Sequence, residues 1–152
     1  MTIHQYRVNV KWTGNLGQGT TSYRAYERNF EITHLNKEKI LGSADPAYLG
    51  DKTRWNPEDL LVASASACHK LWYLHLCAVN HICVLEYCDC AEGYMQDEGR
   101  GYITHIVLKP RIKLALGSDK TLAETLHQQA HHECMIANSV NFPIECQPTF
   151  YD

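Results

Sequence analysis

The chain has 152 residues, 45% of them hydrophobic and 20% charged, with a formal net charge of −3. That length suits one domain with a sizeable core, and that apolar content excludes a disordered or fibrous chain. No stretch approaches the roughly 18 apolar residues of a membrane-spanning helix, and no basic run would track a phosphate backbone, so neither a membrane nor nucleic acid is expected as a partner.

The first five residues, Met1-Thr2-Ile3-His4-Gln5, lack the basic-then-apolar pattern of a secretion signal, which makes the cytoplasm the expected location. Tyr6, Val8, Val10 and Trp12 then alternate onto one face of a strand spanning residues 3–12. Residues 13–19 hold three glycines and read as a turn, followed by a second strand over 20–32. Residues 41–55, with Asp45-Pro46 and Gly50-Asp51, read as a long loop of the functional kind. Asn56-Pro57-Glu58-Asp59 opens a helix that extends to about Ala78, apolar or small nearly all round and therefore expected to be buried. Residues 83–95 and 102–116 read as two strands joined by a hairpin turn at 96–101, with Pro110 marking an edge or a bulge. A second helix from Ser118-Asp119 to about Cys134 and a last strand over 144–151 complete the order ββ–α–ββ–α–β, an α+β pattern.

Seven cysteines and nine histidines stand out in this composition. An odd cysteine count in a reducing compartment leaves packing, metal ligation and redox chemistry as the roles to separate. Cys68 lies mid-helix in the most apolar segment, and Cys134 ends the second helix after His131-His132-Glu133. Cys88 and Cys90 share one face of a strand, which suits bridging or a metal site completed from Cys83, Cys146 or a histidine, although no paired Cys-x-x-Cys motif is present. Cys77, Cys83 and Cys146 default to packing, and His69 and His75 to ordinary helix positions. On a straight helix Glu58 stands about 15 Å along the axis from Cys68, too far to touch the thiol without an intermediary.

Asn56-Pro57-Glu58 followed by Leu60-Leu61 and the small-residue run ending in Cys68 resembles the OsmC/Ohr family of osmotically inducible and organic hydroperoxide resistance proteins. Trp12-x-Gly14, Gly17-x-Gly19-Thr20, residues 42–46 and Cys134-x-Ile136-x-Asn138-Ser139 extend the likeness over most of the chain. Met135 stands where the family usually has proline, and His69 where an aromatic is common.

The resemblance implies a single OsmC-like domain over residues 1–152, with antiparallel sheets around two central helices and an intertwined homodimer. It also implies a cysteine-based peroxidase of organic hydroperoxides. Cys68 would be the peroxidatic thiol, Cys134 its resolving partner, and Glu58 the carboxylate that orients an arginine whose long guanidinium bridges that distance, with Arg24, Arg28 and Arg54 as the options and Arg24 preferred. No cofactor and no metal are implied; an external dithiol, of the lipoyl type, would be the reductant. Tyr48, Trp55, Leu71 and Trp72 would wall the substrate pocket. The alternatives are a non-enzymatic dimer of the same fold that binds a small apolar ligand or senses redox state, and zinc binding by Cys88, Cys90 and histidines.

Overall fold

The alternation that begins at Tyr6 becomes strand only at its end, as β1 (Asn9–Trp12). It pairs antiparallel with β2 (Phe30–Thr33), which pairs in turn with β3 (Ile40–Gly42), in the order β1-β2-β3. The register sets Trp12 opposite Phe30 and Phe30 opposite Gly42. These strands belong to the first of two units, Met1–Leu60 and Leu61–Asp152, in a computed structural model that describes residues 1–152.

The expected strand over 20–32 is strand only from Phe30 onward. Asn15 folds the preceding segment on itself, its Oδ1 accepting from the Gly17 and Gly19 amides at 2.9 and 3.0 Å. Both glycines take positive φ, 106° and 58°, which a side chain would oppose. The Trp12 indole then donates to the Glu27 carbonyl at 2.8 Å, tying the far end of the excursion to β1.

After β3, Asp45 accepts from the Ala47 amide at 2.7 Å and starts one turn of 3₁₀ helix at Pro46–Tyr48. Gly50 returns beneath it so closely that a Cβ would lie 1.6 Å from the Ala44 carbonyl oxygen. Gly50→Ala is therefore expected to cost about 1–3 kcal/mol, because backbone rather than a flexible side chain must give way. A thermal melt measures this; an unchanged melting temperature would mean that the 44–50 turn yields freely.

Helix α1 (Pro57–Val79) starts as expected, but the acid that caps it is Asp59. The Asp59 amide donates to Asn56 Oδ1 at 2.7 Å, and the Asn56 amide donates to Asp59 Oδ2 at 3.3 Å, a reciprocal capping box. Glu58 is left free of that duty. The helix is not buried all round, since Ala63, Ala67 and Leu71, spaced four apart, form an exposed apolar stripe.

In the second unit, each of the three remaining expected strands breaks near its middle. Residues 83–95 become β4 (Val84–Asp89) and β5 (Glu92–Gln96), residues 102–116 become β6 (Tyr102–Leu108) and β7 (Pro110–Leu114), and residues 144–151 become β8 (Ile144–Cys146) and β9 (Thr149–Tyr151). The halves go to different sheets, ordered β4-β7-β9 and β5-β6-β8. Pairing is mixed rather than purely antiparallel, with β8 parallel to β6 and β9 parallel to β7. Pro110 opens the central strand β7, where its missing N–H is harmless, instead of marking an edge. The Asp89 carboxylate accepts from the Lys109 amide at 2.7 Å and braces the β6–β7 crossing.

Helix α2 (Lys120–Glu133) is capped by Asp119, whose side chain accepts from the Leu122 amide at 2.9 Å. One apolar cluster joins Tyr73, Leu76 and Cys77 of α1 to Ile112 of β7 and to Ala123, Leu126 and Ala130 of α2. A second joins Ala65 of α1 to Ile106 and Leu108 of β6 and Ile144 of β8. The α+β expectation holds.

Candidate active site

Cys68 sits half-buried in the middle of α1, and Cys134 is fully buried just past the end of α2. The two thiols stand next to each other, Cys68 being among the groups that act on Cys134. Burial first, and the neighbouring Cys68 thiol second, push Cys134 up to about 11. The Cys134 sulfur also accepts from the Ala137 amide at 3.4 Å, because the chain turns sharply there. Asn138 Nδ2 donates back to the His132 carbonyl at 2.9 Å, and Ser139 Oγ to the Met135 carbonyl at 2.7 Å, fixing that turn. The pair is free rather than disulfide-bonded.

Within the first unit, Glu58 lines a cleft of about 330 Å³ together with Trp12, Tyr26, Arg28, Phe30 and Tyr48. Arg28 is held rigidly: its guanidinium lies 4.4 Å from the Tyr23 ring centroid and 4.2 Å from that of Tyr26. It also donates to the Tyr26 carbonyl at 2.6 Å and to the Tyr23 carbonyl. Arg24 is exposed and does not line the cleft. Arg54 lies outside it too, paired with Asp51 at 3.7 Å. Of the three arginines, Arg28 is the one that lines the same cleft as Glu58. Tyr48 lines this cleft and Trp55 does not.

Cys146, assigned to packing by its sequence, stands instead with two histidines. His69 Nε2 and His127 Nδ1 are 3.0 Å apart, and the Cys146 sulfur is 3.5 Å from the first and 3.6 Å from the second. Both rings are buried, and burial lowers His69 to about 4 and His127 to about 3. The sequence reading passed over His127. The available signal was a histidine inside the apolar stripe formed by Ala123, Leu126 and Ala130. Cys77 is buried packing as expected, while Cys83, Cys88 and Cys90 are exposed.

The family model of OsmC-like proteins matches residues 50–149, about two thirds of the chain and both cysteines of the pair. The chain belongs to the OsmC-like family. An OsmC-like protein of unknown function from Vibrio cholerae is 29% identical and has a TM-score of 0.88, with 97% of this chain and 100% of that one covered. Organic hydroperoxide resistance proteins from Legionella pneumophila and Elizabethkingia anophelis share the fold at TM-scores of 0.68, with 19% and 20% identity. Each covers 99% of the OsmC-like chain, and 100% and 99% of their own lengths are matched. No curated protein sequence matches it.

Proposed function

We propose that this OsmC-like chain is a thiol peroxidase that reduces organic hydroperoxides to alcohols. The observation that carries the reading is the adjacent pair of free thiols, Cys68 in the middle of one helix and Cys134 at the end of the other. The Cys68 thiolate attacks the O–O bond, releasing the alcohol and becoming a sulfenic acid. Cys134 condenses with that sulfenic acid, water leaves, and a Cys68–Cys134 disulfide forms. An external dithiol of the lipoyl type then reduces the disulfide to two thiols and is itself oxidised to a cyclic disulfide.

Cys134, raised to about 11, is a protonated thiol at neutral pH, which suits a group that waits for the sulfenic acid rather than attacking peroxide itself. Glu58 and an arginine supply the charge that a half-buried thiolate needs, and the cleft shared by Glu58 and Arg28 supports Arg28 for that role over Arg24. The exposed stripe of Ala63, Ala67 and Leu71 supports a homodimer, because a helix face that small and apolar gains most against another backbone. No helix is long and apolar enough to cross a membrane, and the disulfide cycle calls for a reducing compartment such as the cytoplasm.

Consumption of cumene or tert-butyl hydroperoxide with a lipoyl dithiol tests the assignment. Wild type is expected to turn over and Cys68→Ser to lose turnover completely. Peptide mapping after one equivalent of peroxide is expected to find Cys68 linked to Cys134. Turnover that persists in Cys68→Ser sinks the peroxidase reading; a stoichiometric disulfide without turnover would assign redox sensing instead.

A further inference from the structure

We propose that His69, His127 and Cys146 form a binding site for a first-row divalent cation, zinc foremost. The three donors come from α1, α2 and β8, with up to 77 residues between them, so their meeting is a product of the whole second unit and not of a local turn. They are at the inner edge of both apolar clusters: His127 stacks on Tyr73 with ring centroids 3.8 Å apart and meets the edge of Phe150.

The spacing is that of a coordination sphere. A tetrahedral zinc ion, with bonds of about 2.0–2.1 Å to nitrogen and about 2.3 Å to sulfur, separates two nitrogens by about 3.4 Å and nitrogen from sulfur by about 3.6 Å. The corresponding separations here are 3.0, 3.5 and 3.6 Å. A flat three-coordinate ion would need about 3.6 and 3.8 Å, a poorer match. A point at zinc-like bond lengths from all three donors lies about 0.9 Å out of their plane, which leaves a fourth position for water or a ligand.

Hydrogen bonding accounts for the inner nitrogens, where the two rings, 5° from parallel, share one bond, but leaves the outer nitrogens unexplained. The other ring nitrogens, His69 Nδ1 and His127 Nε2, are buried without a partner, so only the single bond between the rings links their tautomers. With each proton on its outer nitrogen, both inner nitrogens present a lone pair to an ion that takes the place of the bonding proton between them. Two imidazoles and one thiolate form a borderline-soft donor set, which selects zinc, cobalt or copper over magnesium or calcium. A divalent ion binding through the Cys146 thiolate displaces one proton and leaves the site one unit positive.

The test uses the full-length chain, reduced and stripped of metal. Titration with Co²⁺ is expected to saturate at one ion per chain, with a thiolate-to-cobalt charge-transfer band and the intense visible bands of a tetrahedral ion, and Zn²⁺ should then abolish them. Those bands are expected to vanish in Cys146→Ser and in His127→Gln, and to survive in the Cys88→Ser/Cys90→Ser double variant. No stoichiometric thiolate band in wild type overturns the proposal. So does a band that survives Cys146→Ser yet is lost from the double variant, which would move the site to the exposed strand pair. Should Cys146→Ser fail to fold, nuclear magnetic resonance of the wild-type chain decides. Zn²⁺ is expected to move the ring-nitrogen signals of His69 and His127, and movement confined to other histidines overturns the site. Hydroperoxide turnover enters neither readout, so failure here and failure of the peroxidase reading are separate results.

Discussion

Arg28→Met is expected to slow the oxidation of Cys68 by one equivalent of organic hydroperoxide about a hundredfold, with Arg24→Met and Arg54→Met within about twofold of wild type. In the proposed reaction, negative charge passes from the thiolate to the leaving alkoxide, and a fixed cation favours both ends of that transfer. Fixity is what separates the three arginines. Arg28 is clamped between two tyrosine rings and two carbonyl groups and shares a cleft with Glu58. Arg24 stands exposed, and Arg54 is engaged by Asp51. Arg28→Lys should recover only part of the rate, because an ammonium keeps the charge but not the planar fork. Stopped-flow oxidation at several pH values measures the effect. If the hundredfold loss follows Arg24→Met instead, the cleft has been misassigned.

The second large effect is on stability in mild acid. Burial holds His69 at about 4 and His127 at about 3, both below the 6.5 of an exposed imidazole. Between those values the unfolded chain binds protons that the native chain does not, so stability rises with pH and is lost as pH falls below about 6.5. Each histidine contributes up to about 1.4 kcal/mol per pH unit once the unfolded imidazole is fully protonated, so the step from pH 6.5 to 5 should remove about 3 kcal/mol for the pair. Urea unfolding in the presence of a chelator, which keeps bound metal from adding its own pH dependence, reads this as a falling midpoint at constant slope. His127→Phe is expected to remove about half of the pH dependence. A midpoint flat across this range would show that the rings are not held neutral.

Much of this was legible because it is local. Asn56-Pro57 announced α1, Ser118-Asp119 announced α2, and the small-residue run placed Cys68 on a helix. The strand breaks were harder to see, since alternation runs on through Cys90-Ala91, Lys109 and Gln147-Pro148 while the chain changes sheets. Pro110 and Pro148 were the available markers of two of those crossings. Arg28 was indistinguishable from Arg24 until the Tyr23 and Tyr26 rings were seen to close on it. Cys146 and His127 stayed hidden because no sequence spacing relates β8 to the buried face of α2.

The three sheet-changing strands also govern how the second unit comes apart. Every strand of one sheet continues covalently into the other, and α1 contributes to both apolar clusters. Neither sheet can therefore peel away while its neighbour stays intact. The amides of Ile106 and Ile112, one in each sheet, should become accessible to solvent only through the same opening event, with no partly unfolded form between. The parallel pairings of Ile106 with Ile144 and of Ile112 with Phe150 join strands that α2 separates along the chain, a topology that exchanges folding speed for cooperativity.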